Sequence, residues 1–197
     1  MLCDDLYLTA EAAALAVRKG VLNLWALAGV EARGFSPGGA DRVFFVTSVT
    51  WGRRALFLSD RFARLFLEIL VHYRGQGCYQ LHDFVLMPEH FHLLLTPAKT
   101  LSLEQAVQRI KGGFSYRTKK DLGFSGEIWE RSFTNHRIHD LDDYAVHRQY
   151  IEVNPVRKRL CSQAAEYAYS SANPAFVLDP LPRGLKPRLE ATPVSQG

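Results

Sequence analysis

Two histidines flank one phenylalanine at His90-Phe91-His92, inside the run LMPEHFHLLLTP, and Tyr150 and Asn154 follow in QYIEVNPVRKRL. In an extended apolar run, side chains at i and i+2 leave the same side of the strand, so both imidazoles face one way and begin a metal site. Tyr150 and Asn154 are four residues apart, which sets a phenol beside an amide on one helix face if the helix reaches Asn154. Two imidazoles, an amide and a tyrosine suit metal-assisted phosphoryl transfer with Tyr150 as the nucleophile. An amide oxygen and a substrate phosphate added to two imidazoles favour a hard ion such as Mg2+ or Mn2+. The cysteines, Cys3, Cys78 and Cys161, lie away from the pair in sequence, which argues against a closed structural zinc site.

Each of these residues also has a plainer reading. The histidines could be hydrogen-bonded core residues, and any of the eight tyrosines could simply pack. Tyr144 is the nearest rival of Tyr150 on the same helix; six residues earlier, it falls about 120° away around the axis. A free phenol titrates near ~10, about three units too high for pH 7, so a tyrosine nucleophile needs a cation close by. Asn154 precedes Pro155, and that pair also reads as the N-cap and first residue of a new helix, or as a bend. Glu89 either binds the metal or shapes the turn, and strand alternation would point it away from the histidines.

The runs VLMPEHFHLLLTP, IKGGFSYRTKKDLG, GEIWERSFTNHRI and YIEVNPVRKRL resemble the single-tyrosine HUH transposases, and most closely their REP-associated tyrosine transposase branch. The resemblance spans roughly Val43 to Ala172. It implies a metal site of His90, His92 and Asn154, and attack by Tyr150 on single-stranded DNA to leave a 5′-phosphotyrosine and a free 3′-hydroxyl. It implies a divalent cofactor, Mg2+ or Mn2+, and hairpin DNA beside a short single-stranded recognition sequence as partner. Related proteins include dimers that exchange the tyrosine between chains, and monomers, so homodimer and monomer both stand open. The resulting expectation is a DNA endonuclease and strand transferase that needs no nucleotide triphosphate. The alternative is a nucleic-acid-binding module on the same scaffold without cutting activity.

The elements that must position these residues are legible in pattern. RVFFVTSVTW reads as a strand, and RFARLFLEILVHYR as an amphipathic helix that Asp60 could cap. YQLHDFVLM and HFHLLLTP read as two strands joined at Pro88-Glu89. Ser102 and Gln105 form a capping box for a helix through Lys120, EIWERSFTNHRI reads as a fourth strand, and Asp140 to Val153 as a helix with Asp140 as N-cap. The order β-α-β-β-α-β predicts an α+β, ferredoxin-like antiparallel sheet with helices on one face, plus an extra C-terminal helix bearing the tyrosine. The expected domains are a partly helical extension over 1–40, a catalytic domain over 41–172 and a disordered, Pro-rich basic tail over 173–197.

Composition narrows the setting. The 197 residues, 47% hydrophobic, suffice for one core, and a net charge of +4 with pI near 9.0 permits a polyanionic partner. Three scattered cysteines, an acidic start and the lack of a long apolar run predict a cytoplasmic protein with no membrane partner. DNA-binding cations are expected at Arg109, Lys111, Arg117, Lys119 and Lys120, interleaved with Phe114 and Tyr116, and at Arg157 and Lys158. Trp129 is expected to pack beside the site. His136 and His139 read as phosphate contacts or surface groups.

Overall fold

The computed structural model describes residues 42–181 and 184–187, so the expectations for 1–40 and 188–197 lie outside the described residues. The elements are β1 (Phe44–Val49), α1 (Asp60–Gly75), β2 (Tyr79–Met87), β3 (His90–Pro97), α2 (Leu103–Leu122), β4 (Thr134–Arg137) and α3 (Leu141–Arg157). The strands pair antiparallel in the order β2-β3-β1-β4, the split ferredoxin-like α+β arrangement.

Both faces of this sheet are covered, so β2 and β3 are buried almost throughout. Helices α1 and α2 pack Phe66, Leu70, Ile110 and Phe114 against Phe91, Leu93 and Leu95 of β3. On the other face α3 sets Tyr144 and Ile151 in a smaller cluster with Val43, Val85, Met87 and Leu94. Each such fully buried apolar side chain stabilises the fold by about 1.5–3 kcal/mol. The period of two along β3 therefore sends His90 and His92 to the side of α3, away from the larger core.

The capping box at Ser102 and Gln105 is formed, and Asp140 caps α3 by accepting from the Asp143 backbone N–H at 2.8 Å. Asp60 departs from expectation. It is the first helical residue, after an N-cap at Ser59 with no side-chain cap bond, because its carboxylate is engaged by Arg64 and Tyr169. The expected fourth strand shrinks to four residues. Upstream of it Trp129 turns into an aromatic cluster with Phe57, Phe66, Phe91 and Phe114, and its indole N–H donates to the Lys111 carbonyl at 3.1 Å. Helix α3 runs on through Asn154-Pro155, so no helix begins there and Asn154 is not an N-cap. The Leu160 and Arg159 N–H groups donate to the Pro155 and Val156 carbonyls, a Schellman ending that puts Arg159 at φ +58°.

Of the tail expected over 173–197, residues 173–181 and 184–187 are described. Residues 173–181 form a strap along β2, which is an edge strand with backbone groups otherwise open to strangers. The Asp179 N–H donates to the Leu81 carbonyl, the Leu81 N–H donates to the Asp179 carboxylate at 2.8 Å, and Arg74 grips that carboxylate at 2.7 and 3.0 Å. Phe176 meets Phe84 edge-on. A Pro-rich composition suppresses helix and sheet, but it does not prevent an extended segment from docking by such contacts.

Asp179→Ala is expected to cost about 2–3 kcal/mol, because it strips charge-assisted bonds from a mostly buried guanidinium and a backbone N–H, and urea denaturation will read it. The glycine pair in α2 should behave oppositely at its two members. A Cβ at Gly112 meets open space, so Gly112→Ala is expected to stabilise by about 0.5–1 kcal/mol. A Cβ at Gly113 would lie 2.6 Å from the Tyr73 ring of α1, so Gly113→Ala is expected to lower the urea midpoint.

Candidate active site

Strand β3 is central, flanked by β2 and β1, and holds His90 opposite Met87 and Val49, and His92 opposite Val85 and Thr47. The two imidazoles turn their Nε2 atoms toward each other at 3.1 Å. Their outer nitrogens are occupied: His92 Nδ1 lies 2.6 Å from the Thr47 hydroxyl, and His90 Nδ1 lies 3.1 Å from the Glu89 carboxylate. With each Nδ1 carrying its proton toward these acceptors, both Nε2 lone pairs face one point. That arrangement is unfavourable unless a cation or a shared proton stands between them.

Electrostatics keeps the pair neutral. Burial lowers the pKa of His90, partly opposed by Glu89, with Arg53 and Lys158 adding to the depression. Burial, then the charge of His90, pushes His92 down to about 3. Neutral imidazoles are the form that binds metals. Two metal–nitrogen bonds of about 2.1 Å at a right angle would put the nitrogens ~3.0 Å apart, so the observed spacing fits two ligands of one ion. A histidine whose other nitrogen is held by a carboxylate is also a recurring feature of metal sites.

Tyr150 comes to this pair from α3. Its ring meets His92 edge-on, centroids 5.1 Å apart, and Phe45, stacked on His92 at 5.2 Å, also meets Tyr150 edge-on at 5.9 Å. Tyr150 is 41% exposed, so a substrate can reach its hydroxyl. Asn154 lies one turn further on the same helix and is buried. Rival Tyr144 is excluded by its surroundings: its hydroxyl donates to buried Asp83 at 2.9 Å, and burial drives its pKa well above that of a free phenol.

The expected DNA-binding cations divide. Arg157 and Lys158 are exposed at the C-terminal end of α3, on the side of the histidines. Those of α2 belong to the opposite face. Lys111 is half-buried and donates to the Glu130 and Ser132 carbonyls; Arg117 is held by Asp121 and Glu68. Arg109 rests against the Cys78 sulfur, while Lys119 and Lys120 are exposed, the latter over the Tyr116 ring. His136 is turned toward Asp143 of α3 rather than toward the His90–His92 pair.

Thr47, Phe45 and Arg53 are not among the expected site residues, and Glu89 lies in the turn, as one of its two readings has it, but with its carboxylate on His90 Nδ1. Alternation failed for Glu89 because it lies in the two-residue turn, where side chains do not follow the strand period. Thr47 follows from strand pairing, which a single sequence does not display. Arg53 sits after β1 at φ +51°, a left-handed conformation that costs a non-glycine residue about 1–2 kcal/mol and that clusters at functional sites.

Comparison with known proteins identifies relatives of this chain. Residues 45–154 match the family model described as "Transposase IS200 like". The chain is 24% identical over 138 residues to the REP-associated tyrosine transposase of Escherichia coli strain K12, covering 66% of this chain and 80% of that protein. It is 26% identical over 152 residues, 71% and 82% of the two chains, to a Haemophilus influenzae strain Rd protein provisionally given the same name. The solved structure of a REP-associated tyrosine transposase bound to a REP hairpin superposes with a TM-score of 0.57 at 22% identity, covering 78% of this chain and 92% of that one, which shows a shared fold. The chain belongs to the IS200-like transposase family, and the named relatives it matches are REP-associated tyrosine transposases.

Proposed function

We propose that the protein is a metal-dependent single-stranded DNA endonuclease and strand transferase in which Tyr150 is the nucleophile. The observation that carries this reading is the edge contact of exposed Tyr150 with His92, whose neighbour His90 shares a metal-binding geometry with it. The Tyr150 oxygen attacks the phosphorus of a phosphodiester, the bond to the 3′-oxygen breaks, and the phenolic proton ends on the departing 3′-hydroxyl. The product is a 5′-phosphotyrosine that keeps the energy of the phosphodiester, so a 3′-hydroxyl can reverse the step at a new junction. His90, His92 and Asn154 would hold a Mg2+ or Mn2+ ion, which polarises the scissile phosphate and stabilises the phenolate.

The remaining residues have supporting roles. Thr47 and Glu89 fix the two imidazoles, while Arg53, Arg157 and Lys158 attract the strand to that side of the sheet. Lys119 and Lys120 on α2 can hold only DNA that reaches around to the other face. Because a relative is solved with a REP hairpin, an imperfect hairpin flanked by single strand is the substrate class proposed here. Tyr150 lies on the histidine pair of its own chain, which supports assembly of the site within one chain.

Incubation with labelled single-stranded hairpin DNA and Mn2+ is expected to give a covalent adduct on a denaturing gel, lost in Tyr150→Phe and reduced by at least ~100-fold in His92→Ala. Mixing those two variants should restore no adduct; restoration would mean exchange of the tyrosine between chains, and DNA binding without any adduct from the unaltered protein would support a binding module. The histidine pKa values give a pH prediction. Burial holds the pKa values of folded His90 and His92 below the ordinary 6.5, so Mn2+ affinity should begin to fall at a lower pH than it would for free imidazoles. Fold stability should decline below about pH 6.5, because the unfolded histidines take up protons that the folded ones refuse, and His92→Gln should flatten that slope in pH-dependent urea titrations.

A further inference from the structure

A second cluster of donors stands beside the active site, built from β4 and the first turns of α3. His136 Nε2 lies 3.1 and 2.9 Å from the two carboxylate oxygens of Asp143, and His147 Nδ1 lies 3.0 Å from the same carboxylate. The His136 and His147 rings are nearly parallel, 16° apart in plane with centroids at 4.7 Å. One donor atom from each of the three residues can be chosen so that all lie within 4.8 Å of one another. Asp143 and His147 occupy i and i+4 on α3, the spacing at which a helix presents two ligands to one ion.

Hydrogen bonds also join these residues, and the Asp143 carboxylate accepts the His139 N–H at 3.0 Å as well. His147 Nδ1 is 2.9 Å from the Asp143 backbone carbonyl and 3.0 Å from its carboxylate, so ligation through this nitrogen requires the tautomer that carries its proton on Nε2. His136 is exposed, and an exposed histidine–carboxylate pair stabilises little by itself. Charging both stacked imidazoles would set two positive rings 4.7 Å apart. A divalent ion removes that conflict by taking two neutral imidazoles and one carboxylate.

We propose that His136, Asp143 and His147 form a second metal site, for a borderline divalent ion such as Zn2+ or Co2+, distinct from the His90–His92 site. Two imidazoles with one carboxylate suit such ions better than Mg2+. The ion ties β4 to α3 immediately upstream of the tyrosine. The Phe45 ring lies 4.7 Å from His147, 5.2 Å from His92 and 5.9 Å from Tyr150, so the second site braces the packing on which Tyr150 rests.

The test uses the full chain carrying His90→Ala and His92→Ala, so its outcome is independent of the catalytic reading. After metal removal and Co2+ titration, this variant is expected to retain about one Co2+ per chain, with visible d–d absorption and a melting temperature raised by a few degrees. Adding His147→Gln is expected to abolish the absorption and the thermal shift, and His136→Gln is expected to do the same, with circular dichroism confirming that both variants are folded. The proposal is overturned if the His90→Ala, His92→Ala protein binds no Co2+, or if its Co2+ signal survives both further substitutions. Should His147→Gln fail to fold, His136→Gln decides alone, since its side chain is exposed.

Discussion

Two desolvated imidazole nitrogens held 3.1 Å apart set the terms for the rest of this molecule. Water would separate or protonate them, so they must be buried, neutral and fixed from behind. Placement on the central strand, with β1 and β2 on either side, supplies the burial. Thr47 across the strand pair and Glu89 in the adjoining turn supply the fixation, each at the nitrogen facing away from the shared point. The Phe45 ring stacked on His92 closes off one side, and the Tyr150 ring meets the same imidazole edge-on. Two lone pairs are thereby kept facing one point in a low-dielectric setting, which is the feature on which the proposed metal site rests.

The tyrosine helix is secured independently of that pair. Asp140 caps its start, Ile151 sits in the smaller core, and Tyr144 donates its hydroxyl to Asp83 in the sheet. Burial raises the pKa of Asp83, an effect that the bond from Tyr144 and the charge of Arg148 oppose only in part. Arg159 in a left-handed conformation ends the helix and turns the chain back toward the β2 edge, where Tyr167, Ser171 and then Asp179 bond to the strand backbone. The strap thus protects the sheet edge on the side away from β4.

Much of this was legible in the sequence where local physics dominates. The β2 and β3 boundaries follow from apolar runs interrupted at Pro88-Glu89, and both helix caps follow from Ser102 with Gln105 and from Asp140. The facing of His90 and His92 needs only the period of two. What could not be read depends on partners distant in sequence. Thr47 meets His92 through strand register, Trp129 shortens β4 because an aromatic cluster draws it inward, and residues 173–181 are ordered by Arg74 and by the edge of β2. The basic residues of α2 show the same limit: sequence counts their charge, but only the fold shows them on the face opposite the histidines, with Lys111 and Arg117 bonded to the protein itself. The pairing of His136 with Asp143 and His147 likewise joins a strand to a helix.

The central claim is that the facing imidazoles of His90 and His92 hold a catalytic ion beneath Tyr150. Crystals grown with Mn2+ and hairpin DNA, measured at a wavelength where manganese scatters anomalously, test it directly. The expected result is an anomalous peak about 2.2 Å from both Nε2 atoms, with the scissile phosphate on the same ion and the Tyr150 oxygen in line for attack. A cleavage-competent crystal with no peak between those nitrogens would contradict it.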